Sequence, residues 1–253
     1  MLILRSLVFN VLFYVNLALW LLFAAFPALL LPRRVMLAIT VAWARTALWL
    51  LRVVAGTRYE IIGRENIPPG GMIVAAKHQS FWETFVMMTL FEDPIFILKR
   101  ELTWIPFFGW CLHKFRMIPV DRGGRARALA QVTRRAKIEL RDNGRQLLIF
   151  PEGTRRPAGA PPAYKFGIAH LYAELKLPCL PVALNSGLYW PRRKFLRLPG
   201  TIRLEILPPI APGMDKTAFQ ALLQDTIETA SDRLLAQGRA ELATLGLDPL
   251  ANP

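Results

Sequence analysis

The hydrophobic pattern divides the chain near Gly56. Residues 6–32 contain no charge and are mostly Leu, Phe, Val and Ala. As a helix this run is roughly 40 Å long, against a hydrocarbon thickness of ~30 Å. Pro32-Arg33-Arg34 breaks it, and a second apolar helix is expected over about residues 35–54, with Arg45 near its middle. A charge at that depth costs about 2.5–3.5 kcal/mol on the insertion scale, which argues against a second simple span. A spanning hairpin would also set Arg33 and Arg34 across the bilayer from the basic remainder. Two helices that enter one leaflet and return, or lie in the interface, keep every arginine on one side. A retained monotopic anchor over residues 1–56 is therefore favoured over a spanning hairpin, and over a signal peptide, whose apolar region is shorter.

Beyond Gly56 short apolar runs alternate with helical periodicity. Strands are expected over residues 59–62, 72–76, 95–98, 115–120, 146–150, 179–184 and 201–206. Helices are expected over 81–91, 125–143, 167–175 and 214 to about 243. The 125–143 segment has apolar positions at 129, 132, 136 and 140 with its arginines on the other face. The last helix carries Phe219, Leu223, Ile227 and Leu234 on one stripe. Residues 104–110 read as an aromatic helix or turn, and 246–253 as a tail. Alternating strands and helices predict an α/β domain over residues 57–253, with ligands at the carboxyl ends of its strands.

Charge narrows the partners. Thirty-two Lys and Arg against 18 Asp and Glu give a net charge of +14, together with a mean hydropathy of +0.31. A chain both apolar and basic meets an anionic surface or an anionic substrate. The two cysteines, Cys111 and Cys179, have no second Cys or His at metal-ligand spacing, so no metal site and no disulfide framework is expected. Cys111 and His113 are read as packing residues.

Three polar clusters follow predicted strands. The first is Lys77-His78-Gln79-Ser80-Phe81-Trp82-Glu83, in which a carboxylate five residues after a histidine can fix its tautomer and stabilise its imidazolium. Ser80 and Glu83 also form a capping-box pattern, and both readings hold together if one oxygen of Glu83 caps while the other meets the ring. The second is Lys99 with Arg100 and, later, Arg122. The third is Glu152-Gly153-Thr154-Arg155, where the glycine permits a tight turn and the planar guanidinium can fork onto a phosphate. Arg192, Arg193, Lys194 and Arg197 read as a membrane-facing basic patch. No phosphate loop, dinucleotide fingerprint or nucleophile elbow is present, so the chemistry implied is a base acting on a substrate hydroxyl.

In combination these clusters resemble the 1-acylglycerol-3-phosphate acyltransferases, of the glycerolipid acyltransferase superfamily. The resemblance rests on four motifs in order: His78 to Glu83; Lys99-Arg100-Glu101-Leu102 to Met117-Ile118-Pro119-Val120-Asp121-Arg122; Phe150-Pro151-Glu152-Gly153-Thr154-Arg155; and Leu180-Pro181-Val182. It spans about residues 63–207, and one position departs, since the family's usual acid in the first motif is aspartate. The resemblance implies a central mixed sheet flanked by helices behind a two-helix membrane anchor. It implies His78 as general base, oriented by Glu83, acting on the free hydroxyl of lysophosphatidic acid. Acyl-CoA or acyl-carrier protein is the implied co-substrate, with no other cofactor and no metal. Glu152, Gly153, Thr154 and Arg155 are the implied holders of the glycerol phosphate, with Lys99, Arg100 and Arg122 adding positive field. An apolar tunnel for the acyl chain is expected, with residues 104–110 in its lining. The implied site is the cytoplasmic face of the inner membrane, at the phospholipid surface. Two other readings stay open: an acyltransferase for another lysolipid such as a lyso-ornithine lipid, and a non-catalytic basic protein binding membrane or nucleic acid. The absence of a nucleic-acid module counts against the last.

Overall fold

The computed structural model describes residues 1–121 and 125–247. Arg122 and residues 248–253 of the expected tail lie outside the described residues. Helix α1, Leu2–Leu19, runs on through a wider turn to Ala28, and α2, Arg33–Leu50, continues the same way to Ala55. There follow β1 (Thr57–Ile62), β2 (Met72–Ala76), α3 (Trp82–Leu90), β3 (Pro94–Lys99), α4 (Phe108–Lys114), β4 (Ile118–Val120), α5 (Arg125–Asn143) and β5 (Gln146–Ile149). The remainder is α6 (Gly167–Leu175), β6 (Cys179–Leu184), the single turn α7 (Ser186–Tyr189), β7 (Gly200–Ile206) and α8 (Lys216–Thr244).

Most expected elements stand within a residue or two of their bounds. The strand expected over 115–120 is shorter, because Phe115 and Met117 bury themselves beneath the end of α4 and only Ile118–Val120 pairs with β3. The aromatic stretch divides between a tight turn, Arg100–Trp104, and the start of α4. His113 is exposed on the outer face of α4, whereas Cys111 on the inner face is buried.

Among the described residues seven strands form one sheet in the order β1-β7-β6-β2-β5-β3-β4. Strands β6, β2, β5, β3 and β4 are parallel, β7 is antiparallel to β6, and β1 is parallel to β7. The sheet is mixed, as the resemblance implied. Its centre is β2, where Val74 lies opposite Leu148 and Leu180 and all five residues are buried. Period-2 alternation deals these residues to two cores. Met72, Val74 and Ala76 face α1, α2 and α3, while Ile73 and Ala75 face α6 and α8 through Ile168, Tyr172, Phe219 and Ile227. Covering both faces is what makes an unbroken apolar strand such as residues 72–76 stable.

The amino-terminal helices belong to the first of these cores. Phe9 and Phe13 of α1 meet Trp190 edge-on at 5.3 Å each, and Trp43 of α2 lies 5.7 Å from Phe85 of α3. Each such aromatic contributes about 1.5–3 kcal/mol by burial. The hairpin is also pinned by polar contacts. Asn10 Nδ2 donates to the Phe195 carbonyl at 3.0 Å, the Arg197 amide donates to Ser6 Oγ at 2.9 Å, and Arg33 pairs with Asp93. Asp93 is shared with Arg145, which is 0% exposed and also bonds Glu139 and the Phe115 carbonyl. The opposite face of α1 is left bare, with Leu4, Val8, Val11, Val15, Leu19 and Leu22 all exposed.

Candidate active site

Strands β2, β3, β5 and β6 are parallel, so the loops that follow them gather at one edge of the sheet. Because β7 returns antiparallel to β6, the loop between α7 and β7 reaches the same edge. Lys77 and His78 follow β2, Phe150 to Arg155 follow β5, and Asn185, Ser186 and Gly187 follow β6.

His78 Nδ1 lies 2.9 Å from Glu83 Oε1. Glu83 is 0% exposed and, as a carboxylate, only accepts, so Nδ1 carries the proton and Nε2 is the ring nitrogen available at the cavity wall. The same Oε1 accepts from the amides of Gln79 and Ser80 at 2.6 and 2.7 Å, and Oε2 accepts from the hydroxyls of Ser80 and Ser186 at 2.9 and 2.8 Å. Capping and histidine contact thus coexist, but through one oxygen and not one each. Burial by itself would raise the Glu83 carboxyl. The hydrogen bond from His78, the charge of that ring and the Ser80 amide outweigh it and hold the carboxyl below its ordinary value. The imidazole stacks on Phe150, centroids 3.8 Å apart and planes at 13°. Its backbone is tied to the third motif, since the Arg156 amide donates to the His78 carbonyl at 2.8 Å. Gln79 Oε1 accepts from the Gly187 amide at 2.9 Å, which docks the loop after β6 on the loop after β2.

Behind this loop lies a buried charge network. Lys77, 2% exposed, directs Nζ to Glu228 of α8 at 2.6 Å and to Glu152 at 3.3 Å. Tyr164 donates to the same Glu228 oxygen at 2.8 Å. Burial pushes the Glu152 carboxyl up, against the charge and hydrogen bond of Lys77. Glu152 therefore stands in the third motif with its carboxylate turned inward, toward Lys77.

His78, Lys99, Gly153, Thr154, Arg155, Lys165 and Arg192 line one cavity of about 720 Å³. Gly153 has φ +67°, and a Cβ there would come within 3.1 Å of Lys165 Nζ, so the turn depends on glycine. Arg155 is half-buried; burial, and then its neighbour Arg192, lower its guanidinium from the ordinary value. Lys99 pairs with Glu101 at 3.0 Å beside the cavity. Arg100 is not in the lining itself but pairs at 3.0 Å with Asp121, which is, and lies over the Trp104 ring at 5.6 Å. Much of the remaining wall is apolar: Leu17, Trp20 and Trp43 from the hairpin, Phe85 and Met88 from α3, Phe96 from β3, Phe108 and Leu112 from α4, Val132 from α5 and Leu171 from α6. Of the aromatics in 104–110 only Phe108 reaches this wall, while Trp104 and Trp110 are exposed, with Trp110 and Phe107 clustered on Phe26.

Several participants escaped the sequence reading. Lys77 had a signal, a lysine directly after a wholly apolar strand, and so had Glu228, an acid beside Ile227 in the buried stripe of α8. Ser186 had none and Arg192 read only as part of the basic patch, because it is the tertiary fold that brings them to Glu83 and Arg155.

Residues 58–185 match the family model for Acyltransferase. A 1-acyl-sn-glycerol-3-phosphate acyltransferase of Pseudomonas aeruginosa is 41% identical over 222 residues, 87% of this chain and 86% of that protein. The 1-acyl-sn-glycerol-3-phosphate acyltransferase alpha of Mus musculus is 29% identical over 160 residues, 62% of this chain and 56% of that protein. The crystal structure of a 1-acyl-sn-glycerophosphate (LPA) acyltransferase from Thermotoga maritima has the same fold, with a TM-score of 0.76 at 23% identity over 92% of this chain and 99% of that one.

Proposed function

The chain belongs to the acyltransferase family, with the 1-acyl-sn-glycerol-3-phosphate acyltransferases, and from that premise we propose that it acylates the free hydroxyl of 1-acyl-sn-glycerol 3-phosphate from an acyl thioester, with His78 as general base. The observation that carries the reading is the junction at His78. Its Nδ1 is held by a buried, ionised Glu83, and the ring lines one cavity together with cations and apolar side chains. Nε2 takes the proton of the acceptor hydroxyl as that oxygen attacks the thioester carbonyl. The tetrahedral adduct collapses, the carbon–sulfur bond breaks, and the imidazolium returns the proton to the departing thiolate. Glu83 stabilises the charged ring between these events. Gly153, Thr154, Arg155 and Lys165 hold the phosphate, Lys99 adds positive field, and the apolar walls take an acyl chain. Acyl-CoA and acyl-carrier protein both meet the requirement for a thioester.

The bilayer supplies such substrates. The segments Leu2–Ala28 and Arg33–Ala55 are long and apolar enough to cross a membrane by length and composition. A monotopic arrangement fits better. The start of the hairpin is tied to residues 195–197 and its tip, Arg33, to Asp93. A hairpin docked at both ends lies along the domain and presents the bare face of α1 to one leaflet, at the cytoplasmic side of the inner membrane.

The test is acyl transfer from labelled oleoyl-CoA to lysophosphatidic acid in detergent micelles. Labelled phosphatidic acid is expected from the wild type, and His78→Ala is expected to lower the rate about 10²- to 10⁴-fold. Equal product from both proteins rejects His78 as base. Product only with an ornithine lysolipid rejects the phosphate acceptor.

A further inference from the structure

The four cations of the loop between α7 and β7, read from sequence as a membrane patch, do different work. Arg197 is buried, lies 4.8 Å from the Trp190 ring centroid and donates to the carbonyls of Lys194, Phe195 and Leu196. It shapes the loop. Arg192 instead lines the same cavity as His78 and Arg155, and its Nη1 donates to the Arg155 carbonyl at 3.2 Å, joining the two loops. Its Nε is buried without a hydrogen-bond partner. Among the described residues neither Arg155 nor Arg192 has a carboxylate in an ion pair. Glu83, whose field reaches Arg155, is already engaged by five donors. Two guanidiniums thus stand together in the lining of one cavity, and among the described residues neither is in an ion pair with a carboxylate.

We propose that Arg192 is a specificity-determining residue which, with Arg155, clamps a phosphate monoester in this cavity. The inference rests on the acyl-transfer reading above. A phosphate monoester offers three oxygens and close to two negative charges, enough to take a planar fork from one arginine and a third bond from the other. Both substrates contain phosphate. The acceptor's phosphate is one short glycerol unit from the hydroxyl that must reach His78. The phosphates of a coenzyme A donor lie at the far end of a long arm from the thioester. Arg192 is bonded to Arg155, and the next residue, Arg156, donates its amide to the His78 carbonyl; this link to the loop of the base favours the acceptor.

Two measurements on the full-length protein test this. In steady-state kinetics, Arg192→Gln is expected to lower kcat/KM roughly 10- to 100-fold more for a 1-acylglycerol 3-phosphate than for the same 1-acylglycerol without phosphate. That is the worth of one charge-assisted hydrogen-bonded fork. The loss appears in the KM of the acceptor and not in that of the thioester, and Arg192→Lys recovers part of it. Equal loss with both acceptors overturns the proposal in favour of a structural role, and a rise confined to the KM of the thioester reassigns Arg192 to the donor's phosphates. The second measurement is calorimetric binding of 1-hexanoylglycerol 3-phosphate and of 1-hexanoylglycerol to His78→Ala protein, with and without Arg192→Gln, and it needs no turnover. A loss of binding confined to the phosphate-bearing compound upholds the clamp even where acyl transfer fails. Unchanged binding overturns it even where acyl transfer succeeds.

Discussion

Replacing Glu83 with glutamine keeps the shape of the side chain and removes its charge. Oε1 accepts from three donors and Oε2 from two hydroxyls, those of Ser80 and Ser186. The glutamine oxygen keeps the first three, and the two hydroxyls can rotate to accept from the new amide, so the loop holds its course. What changes is the partner that His78 meets when it carries the proton. A hydrogen bond to a charged group is worth about 1.5–3 kcal/mol and one between neutral groups about 0.5–1.5, so corresponding ends of the two ranges differ by about 1–1.5 kcal/mol, and about 1 kcal/mol is taken as the lower bound. Two unit charges about 4 Å apart interact by about 4 kcal/mol at an effective dielectric of 20, which sets the upper bound. A transition state raised by about 1–4 kcal/mol corresponds to a kcat roughly 5- to 1000-fold lower. KM for both substrates is expected to stay level, because Glu83 is fully buried and does not line the cavity. Acting through His78, it should add no further loss to His78→Ala. A Glu83→Gln protein within twofold of wild-type kcat, or a loss that adds fully to that of His78→Ala, refutes the reasoning. Stability supplies an independent readout. Because the folded protein holds the Glu83 carboxyl below its ordinary value, its ionised form stabilises the fold above that value. This contribution is lost as pH falls through the lower, folded one. Glu83→Gln has nothing to protonate there, and its unfolding midpoint should decline less steeply than wild type in acid.

Other substitutions probe separate parts of the structure. Lys77→Met leaves Glu152 and Glu228 facing each other without their cation, and is expected to cost about 3–5 kcal/mol in urea unfolding; adding Glu228→Gln should return part of that loss. Gly153→Ala forces a Cβ onto φ +67° against Lys165, at a cost of about 1–2 kcal/mol, with the KM for a phosphate-bearing acceptor rising. The double variant Val11→Glu, Phe23→Glu changes two side chains that are 54% and 74% exposed. It should fold normally by circular dichroism yet fail to float with phospholipid vesicles, while still acylating a short-chain acceptor presented in solution.

The local pattern determined a good deal by itself. Apolar runs and helical stripes marked nearly every strand and helix, since burial on two faces or one leaves its period in the sequence. The pairing of His78 with Glu83 was also legible, because five residues across a strand-to-helix turn keep two side chains within reach. The turn at Gly153 was legible from its glycine. Other features depended on which strands lie side by side. Only the tertiary fold brings Ser186 onto Glu83, Glu228 onto Lys77 and Arg192 onto Arg155, across gaps of 103, 151 and 37 residues respectively. Tertiary packing also decided which way Glu152 turns: a buried lysine holds its carboxylate inward, where the family resemblance had implied a place among the phosphate holders. The hairpin is the clearest case. Its composition marks it for a membrane, but one face of α1 and the tip of α2 found partners on the α/β domain. A helix can give only its remaining face to the lipid.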